Sequence, residues 1–293
     1  MINLYESIKD NSSYRKIEVN ELLFAEYTCM QDETRLGIWS DKNYFAFIQS
    51  GKKVWKSIQQ EYVAEEGEIL FIKKGANLTH QFFDGDFCAI FVFIPDDFIT
   101  SFLKKNYISS KGFTDLSNQD SVIRIAGNQL LDNYGQSIRA FLLLPDQPDE
   151  LLLKLKFEEL LLSLVTSREN KILINYFHSL TENREFQFKQ VMEENYAYNL
   201  SLEQYARLCH MSLSSFKRAF RNYFHSAPAS WLKEKRLELA HKKLINSNLA
   251  VNQVAFECGF EDVSHFIRVF KQKFHHTPFQ YRQKFAAEPA IAV

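Results

Sequence analysis

The spacing of apolar residues changes along this chain, from short alternating runs before residue 95 to helical periodicity beyond it. The early runs are separated by turn residues such as Gly51, Gly67, Gly75 and Asp84–Gly85, which is typical of strands. The predicted strands are Leu22–Thr28, Tyr44–Gln49, Lys53–Ser57, Ile69–Ile72 and Phe87–Ile94. Short strands at this spacing favour a small antiparallel barrel or sandwich.

Beyond residue 95 the pattern predicts helices. Pro95–Asp97 opens one through Phe98 and Leu103. Two more are predicted over Ser121–Leu131 and from Gly135 through Leu143. After the break at Pro145–Pro148, the segment DELLLKLKFEELLLSLVTS predicts a helix that begins at Asp149 and Glu150.

The leucines of that last helix exceed what one buried face requires. One stripe contains Leu152, Leu155, Leu162 and Val165, and the residues that widen it are Leu151, Leu153, Leu160 and Leu161. Two interpretations remain open: the helix is buried between layers, or part of its surface pairs with a second copy of the protein.

The C-terminal part, Ser201–Phe285, contains one motif twice. The matching pairs are Ala206 with Ala255, Cys209 with Cys258, Met211 with Phe260 and, after a one-residue insertion, Phe216 with Phe266, Arg218 with Arg268, Phe220 with Phe270 and Pro228 with Pro278. Self-similarity at a fixed period indicates one supersecondary unit used twice.

Each copy predicts a helix, a tight turn and a second helix. In copy one Ser201 and Gln204 form a capping box, and Ser212 caps the second helix. In copy two Gly259 supplies the positive φ of the turn, and Asp262 caps the second helix. Polar and basic side chains occupy the face opposite the phenylalanines in both second helices, as in a helix-turn-helix motif whose second helix enters the major groove.

One helix, Pro228–Asn246, is predicted between the copies, with Leu237, Ala240 and Leu244 on its apolar face. Some seventeen residues of helix span about 26 Å. With packing at each end, this spacer favours two recognition helices held about one duplex turn apart, near 34 Å.

The second copy, VNQVAFECGFEDVSHFIRVFKQKFHHTPFQYR, resembles the C-terminal DNA-binding domain of the AraC/XylS family of bacterial transcription regulators. Copy one departs from the family pattern at His210, where glycine is frequent, and His tolerates the left-handed conformation at a small cost. The segment KFEELLLSLVTS resembles the family's type III secretion activators.

The resemblance implies an α+β chain: residues 1–170 form a small antiparallel, cupin-like β-barrel plus helices, for sensing and dimerisation, and residues 181–286 form an all-α domain with two helix-turn-helix motifs joined by a linker helix. It implies a sequence-specific transcription regulator, an activator, that binds double-stranded DNA, recruits RNA polymerase and forms a homodimer. The effector is a small molecule, or control is exerted by a protein partner or by abundance.

Family roles carried onto this sequence give the DNA-contacting residues. The base-contacting residues are Ser214, Lys217 and Arg218 in the first recognition helix and Val263, Ser264, His265 and Arg268 in the second. Under the DNA interpretation, three further residues are better placed to contact phosphates than bases: Ser212, Arg221 and Lys271. No effector-binding residues are assigned, because a barrel core uses the same aromatic residues and is the favoured interpretation for each of them.

EEGEILFIKKGANLTH is similar to a cupin motif, which raises the alternative of a metal-dependent enzyme. Such enzymes bring three or four ligands together. His80 lacks the companions for that, since the other N-terminal histidine is His178. We therefore expect no metal, no cofactor and no catalytic residues.

The charge is unevenly distributed. The net charge is −1, yet from Thr181 onward 16 Lys and Arg residues stand against 11 Asp and Glu, a net of +5 that leaves −6 for the preceding part. This asymmetry agrees with nucleic-acid contact confined to the C-terminal part, although a helical protein-interaction module with solvated basic faces would share it.

Two further features of the sequence suggest where the protein resides. The four cysteines, Cys29, Cys88, Cys209 and Cys258, have no metal spacing and are expected to be reduced. No apolar run is long enough to span a bilayer and no signal peptide is evident, so a soluble, cytoplasmic protein is expected.

Overall fold

A computed structural model describes residues 1–28, 35–58, 60–81, 87–108, 120–167 and 169–285. Cys29, the predicted turn at Asp84–Gly85 and residue 286 lie outside the described residues. The chain folds as two compact units, Met1–Phe188 and Lys189–Val293.

The first unit is built on two sheets. Its described strands are β1 (Ile2–Asn3), β2 (Lys16–Val19), β3 (Leu22–Thr28), β4 (Arg35–Ser40), β5 (Asn43–Ser50), β6 (Lys52–Lys56), β7 (Glu61–Glu65), β8 (Ile69–Ile72), β9 (Gly75–Gln81), β10 (Cys88–Ile94) and β11 (Val122–Ile125). One sheet has the order β1-β4-β9-β6-β7 and the other β11-β8-β5-β10-β3-β2. Each of the five predicted strands is present, with ends within one residue of the prediction.

Strand β10 shows why these strands are continuously apolar. Alternate side chains of a strand point to opposite faces. Ala89, Phe91 and Phe93 belong to a core shared with Ile38 and Trp55 of the other sheet. The intervening residues Ile90, Val92 and Ile94 belong to a second core with helical side chains such as Phe102 and Phe157. The central sheet is thus covered on both faces, by a second sheet and by helices.

The helices of the first unit are α1 (Leu4–Asp10), α2 (Asp96–Lys105), α3 (Gln129–Leu142), α4 (Glu150–Val165) and α5 (Lys171–Ser179), and α6 (Arg184–Asn195) contains the division between the units. The predicted helix start at Pro95–Asp97 is confirmed by α2. The predicted helix start at Asp149 and Glu150 is confirmed: Asp149 is the N-cap of α4, and its carboxylate accepts a hydrogen bond from the Leu151 N–H at 2.8 Å.

The predicted helix over Ser121–Leu131 is wrong. Residues Val122–Ile125 form strand β11, which pairs antiparallel with β8. Two physical causes favour the strand: the run is rich in β-branched residues, and edge pairing buries Val122 and Ile123. The helix begins only after Asn128, whose side chain accepts hydrogen bonds from the Leu130 and Leu131 N–H groups. The separate helix predicted from Gly135 is therefore the C-terminal part of α3.

Helix α4 has leucines on two opposite faces. The buried face packs in the core of the first unit and consists of Leu153, Phe157, Leu160, Leu161 and Leu164. The predicted stripe lies largely on the other face: Leu151, Leu152, Leu155 and Leu162 are exposed, Leu151 by 71% and Leu155 by 59%. We call these four residues the leucine face. The interpretation that α4 is buried between layers is wrong for this face.

The second unit is helical. Its described helices are α7 (Leu202–Leu208), α8 (Leu213–Phe224), α9 (Pro228–Asn246), α10 (Val251–Glu257), α11 (Val263–Phe274) and α12 (Pro278–Phe285). The predicted linker helix is confirmed at both ends by α9. Pro228 lies in the first turn of this helix, where an N–H group has no partner within the helix, so the N–H that proline lacks costs nothing. The predicted fold class, an antiparallel β unit with helices followed by an all-α double helix-turn-helix, is confirmed.

In both copies an aromatic residue of the helix that follows the motif, α9 or α12, packs on the second helix of that motif. Trp231 of α9 lies 5.7 Å from the Phe220 ring and 4.8 Å from the Phe224 ring. The equivalent aromatic residue in copy two, Tyr281, lies 5.5 Å from the rings of both Phe270 and Phe274. An aromatic residue three positions after each proline therefore closes the core behind each second helix.

Among the described helices, none combines the length and apolar character needed to cross a membrane.

Candidate nucleic-acid interface

The first helix-turn-helix is α7, a turn at His210 and α8. The predicted capping box starts α7: the Ser201 hydroxyl accepts from the Gln204 N–H at 3.3 Å, and the Gln204 side chain accepts from the Ser201 N–H at 2.8 Å. His210 takes the left-handed conformation with φ +52°, as expected from its place in the turn. Ser212 then starts α8, since its hydroxyl accepts from the Ser215 N–H.

The second helix-turn-helix is α10, a turn at Gly259 and α11. Gly259 has φ +76°, which glycine adopts without strain. Asp262 caps α11 with one carboxylate oxygen that accepts from the Ser264 N–H at 2.7 Å and the His265 N–H at 3.2 Å. The carboxylate also lies at the positive end of the helix dipole, which favours it.

The two turns have the same hydrogen-bond geometry. The His210 N–H donates to the Arg207 carbonyl and the Gly259 N–H to the Phe256 carbonyl, both at 3.0 Å. In each case the next residue donates back to the matching alanine of the first helix, Ala206 or Ala255, which completes a Schellman motif. The turn that the sequence repeat predicts is thus built identically with a histidine and with a glycine.

The predicted DNA-contacting side chains lie together on the outer faces of α8 and α11. Those of α8 and its cap are all exposed: Ser212, Ser214, Lys217, Arg218 and Arg221. Those of α11 are exposed except for the half-buried Val263: Ser264, His265, Arg268 and Lys271. The opposite faces hold the buried Phe216 and Phe220, and Phe266 and Phe270.

Equivalent positions in the two second helices carry equivalent charges. Arg218 and Arg268 are each the sixth residue of their helix, and Arg221 and Lys271 are each the ninth. The faces differ at the fifth residue, where α8 presents the exposed Lys217 and α11 a half-buried isoleucine. Two similar but distinct cationic faces are the arrangement expected for contacting two different DNA segments.

One predicted phosphate contact already uses its side chain within the protein. Ser212 Oγ donates to Ser215 Oγ at 3.0 Å and lies 3.1 Å from Ser214 Oγ, in addition to its capping bond. A hydroxyl engaged this way supports α8 rather than remaining available to a phosphate. The same network orients Ser214, a predicted base contact.

Both second helices end at a histidine in the left-handed conformation. The His225 N–H donates to the Arg221 carbonyl and the His275 N–H to the Lys271 carbonyl, with φ +50° and +61°. Such a residue satisfies one of the carbonyls that a helix end leaves open. The repeat therefore extends to the helix ends, which the sequence pattern did not reveal because histidine is an uncommon choice there.

Two arginines that were not identified from the sequence connect helices of the second unit through hydrogen bonds to backbone carbonyls. Arg236, in the middle of α9, donates to the carbonyls of Tyr196 at 2.8 Å, Tyr198 at 2.6 Å and Gly259 at 3.2 Å. Arg282 of α12 donates to the carbonyls at the end of α9 and before α10. Both are half-buried in a basic sequence, where a pattern cannot separate them from surface cations.

Aromatic side chains line a small cavity between the two sheets of the first unit. Its volume is about 30 Å³, and it is lined by Tyr27, Lys53, Trp55 and Phe91 among others. This is room for one or two water molecules. The interpretation of the N-terminal aromatic residues as core is therefore favoured for these side chains.

A larger cavity lies outside the sheets, where α3 meets the ends of β5 and β8. It has a volume of about 330 Å³ and is lined by residues such as Gln49, Glu68, Asp132 and Gly135.

His80, the histidine considered as a metal ligand, lies in strand β9. The described part of the chain has no group of three or more His, Cys, Asp or Glu residues placed to hold a metal ion.

The geometry defines a class of protein: a double helix-turn-helix module attached to a β-rich unit. The chain matches two family models, the ExsA N-terminal regulatory domain over residues 43–176 and a helix-turn-helix domain over residues 205–284. The thermoregulatory protein LcrF of Yersinia pestis is 29% identical over 237 residues, which are 80% of this chain and 87% of that protein.

Two further similarities concern a regulator and a solved structure. The HTH-type transcriptional regulator ExsA of Pseudomonas aeruginosa is 24% identical over 237 residues, 80% of this chain and 84% of that protein. A crystal structure of ToxT from Vibrio cholerae has a TM-score of 0.42 and 13% identity, covering 91% of this chain and 99% of that chain.

The predicted resemblance to the AraC/XylS family of transcription regulators is confirmed by the matched helix-turn-helix domain and by relatives that match across both units. The similarity to the regulators LcrF and ExsA extends over 80% of the chain. The chain is a regulator and not an enzyme, which removes the cupin-enzyme alternative.

Proposed function

We propose that this protein is a transcription activator that reads two successive major grooves of its operator, with α8 in one and α11 in the next. The observation that carries the proposal is the equivalence of the two motifs. Matching turns, a side-chain N-cap on each second helix and an aromatic residue packed behind it present Arg218 and Arg268 at the same helical position. A protein that used only one motif would have no need for matched cations on the other.

The proposed base contacts follow from the chemistry of the exposed side chains. Arg218 and Arg268 present forked donors that match the two acceptors on the major-groove edge of guanine. Lys217 supplies a single donor, and Ser214, Ser264 and His265 supply hydrogen bonds to either acceptors or donors. Val263, half-buried at the first turn of α11, fits an apolar contact with a thymine methyl group.

Arg221 and Lys271, one turn further along each helix, are proposed phosphate contacts. Such contacts position the protein and carry no sequence information. Ser212 is a weaker candidate of the same kind, because its hydroxyl bonds within the cap of α8. We propose that the Ser212 hydroxyl contacts a phosphate only if DNA binding reorients its hydrogen bonds within the cap.

The leucine face of α4 supports a homodimer. A stripe of four exposed leucines on one helix is more contiguous apolar surface than single scattered residues explain. A second copy offers a matching stripe, so that two α4 helices pack across a two-fold axis. Dimerisation would place two double helix-turn-helix domains, residues 181–286 of each copy, on one promoter.

Regulation is assigned to residues 1–170, which lie within the first unit, as a cupin-like sensor. Residues 43–176 match a regulatory domain, which supports this role. The cavity of about 30 Å³ between the sheets is too small for an effector at that place, which supports control by a protein partner or by abundance over a small ligand bound there. We propose further that the protein acts in the cytoplasm and recruits RNA polymerase, as activators of this family do.

Selection of bound fragments from the fragmented genome of the host tests the proposal. Wild type and an Arg218→Ala/Arg268→Ala variant are compared at near-physiological salt. Recovery of upstream regions with two sequence blocks about one helical turn apart, absent with the variant, is the expected result. Recovery of the same unselected fragments by both proteins, and also by the wild-type C-terminal domain alone, would refute sequence-specific binding.

A further inference from the structure

A short segment between α6 and α7, residues Tyr196–Asn199, contacts both helix-turn-helix motifs. We call it the junction segment. Ala197 and Tyr198 are 3% and 5% exposed, although the segment has no regular secondary structure. Buried irregular backbone needs partners for its carbonyl groups. The identity of those partners links the two copies.

On one side the junction segment is fixed to the first motif. It runs directly into Ser201, the cap of α7. The buried Tyr205 of α7 donates its hydroxyl hydrogen bond to the Asn195 carbonyl at 2.8 Å, just before the segment. The first helix-turn-helix therefore moves with the segment as one body.

On the other side the junction segment abuts the turn of the second motif. A Cβ atom on Gly259 would lie 2.7 Å from the Ala197 carbonyl oxygen, closer than real contacts allow. The Asn199 amide donates to the carboxylate of Glu261. Glu261 is the inserted residue by which copy two differs from copy one, so this contact has no counterpart in the first motif.

Arg236 joins these two sides. Its guanidinium donates to the carbonyls of Tyr196 and Tyr198 in the junction segment and to the carbonyl of Gly259 in the second turn. The planar fork of arginine can serve three acceptors in fixed directions, which lysine cannot. Arg236 also lies midway along α9, between the part that packs on copy one and the part that packs on copy two.

We propose that Arg236 is a positioning residue that sets the distance and orientation between the recognition helices α8 and α11, and thereby the spacing of the two DNA blocks that the protein accepts. The inference rests on the proposed function, because it assumes that both helices bind DNA. When two binding elements are rigidly linked, the second contact gains from the first only at the matching spacing. Loosening the link broadens the accepted spacings without removing either set of base contacts.

The test is selection from a random double-stranded DNA library with three full-length proteins: wild type, Arg236→Gln and Lys233→Gln. Lys233 is an exposed cation of the same helix, so its substitution removes the same charge without touching the junction segment. Affinities are then measured on the selected two-block site, on sites with one base pair added or removed between the blocks, and on each block alone.

The expected result is that wild type and Lys233→Gln prefer the selected spacing by about tenfold or more, and that Arg236→Gln prefers it by less than about threefold. Binding of all three to single blocks is expected to be the same within about twofold. Arg236→Lys is expected to fall between wild type and Arg236→Gln. Asn199→Ala, which removes only the bond to Glu261, provides a second variant with a smaller shift in the same direction if Arg236→Gln does not fold.

Two outcomes would overturn the proposal. A folded Arg236→Gln variant that keeps the wild-type spacing preference would refute it, even if its affinity fell equally on every site, because such a uniform loss indicates only a general structural role. Failure of the wild type to select any two-block site would overturn the proposed DNA function itself and the positioning role with it. The first outcome leaves the proposed function intact, so the two failures are distinguishable.

Discussion

The Met211 N–H donates to the Ala206 carbonyl at 2.9 Å, and the equivalent bond from Phe260 to Ala255 measures 3.0 Å. The same turn therefore forms in both motifs, although one contains His210 and the other Gly259. His210 and Gly259 both adopt the left-handed conformation that this turn requires, with φ +52° and +76°. The conformational cost of the turn residue is higher for His210 than for Gly259.

Replacement of His210 by glycine is expected to stabilise the first motif by about 0.5–1 kcal/mol. The left-handed conformation is unfavourable for residues with a Cβ, and part of the gain is offset by the greater freedom of glycine in the unfolded chain. Hydrogen exchange of peptides from Ser201–Phe224, measured by mass spectrometry, should show slower exchange in the variant.

Gly259→Ala is the matched change in the other direction. It should accelerate exchange in copy two, because alanine combines a positive φ with a clash against the Ala197 carbonyl. Unchanged protection in both variants would mean that these turns do not limit local stability.

Removal of the Arg268 side chain is expected to weaken binding to a specific site by about 1–3 kcal/mol and to leave binding to random DNA nearly unchanged. The physical reason is that a bidentate hydrogen bond to a base is removed. Fluorescence anisotropy on a selected and a scrambled duplex provides the measurement, with the exposed Gln272→Ala on the same helix as control. Equal losses on both duplexes would reassign Arg268 to a phosphate.

Lys271→Gln is expected to behave in the opposite way. Removing a cation that pairs with a phosphate lowers affinity for all sequences alike and reduces the dependence of log K on log salt by about one unit of slope. Titrations at several salt concentrations on the same two duplexes measure this. A loss of affinity confined to the specific duplex would show that Lys271 reads a base.

Introduction of a charge on the leucine face should dissociate the dimer. Leu155→Glu places a carboxylate in the middle of the stripe, which an apolar interface cannot accommodate without a large desolvation cost. Sedimentation at micromolar concentration is expected to give a dimer for wild type and a monomer for the variant. Phe279→Glu, an exposed apolar position in α12, is the control and should remain dimeric. A monomeric wild type would contradict the proposed interface.

Burial raises the pKa of the Cys258 thiol to about 12, and the nearby Lys243 and Arg236 cations oppose this only in part. An unfolded thiol titrates near about pH 8.5, so the unfolded state loses a proton that the folded state keeps. The free energy of unfolding should therefore fall as pH rises through this window, by about 1.4 kcal/mol per pH unit at most, and Cys258→Ala should reduce the fall. Urea denaturation at a series of pH values measures both slopes.

The same thiol should resist alkylation while the protein is folded. Only the thiolate reacts readily with iodoacetamide. At about pH 9, peptide mass spectrometry is expected to find Cys258 unmodified in the native chain and modified in denaturant. Alkylation at equal rates in both conditions would show that the core of copy two opens readily.

The second unit could be predicted closely because its signals are local. The caps at Ser201, Ser212 and Asp262 and the full extent of α9 follow from neighbouring residues and from helical periodicity. The internal repeat supplied a check that a single motif lacks. The hydrogen bonds of Arg236 were not predicted, because its acceptor carbonyls lie about forty residues before it and about twenty after it in the sequence.

The first unit was predicted less well because its pairing is not local. Strand β9, with the polar sequence GANLTHQ, lies inside a sheet between β4 and β6 and gives no apolar run. Strand β11 lies in a segment for which the sequence pattern predicted a helix, and it is stabilised as a strand by pairing with β8 at the edge of the sheet. The leucines of α4 could not be divided into buried and exposed faces, since both faces are apolar and only the core decides which one is covered.

The central claim is that one chain contacts two successive major grooves, and methylation protection of guanine N7 on a selected site tests it most directly. Wild type should protect guanines in two blocks about 10 base pairs apart on one face of the duplex. Arg218→Ala should lose protection in one block only, and Arg268→Ala in the other. A single protected block, or loss of both blocks in either variant alone, would contradict the account.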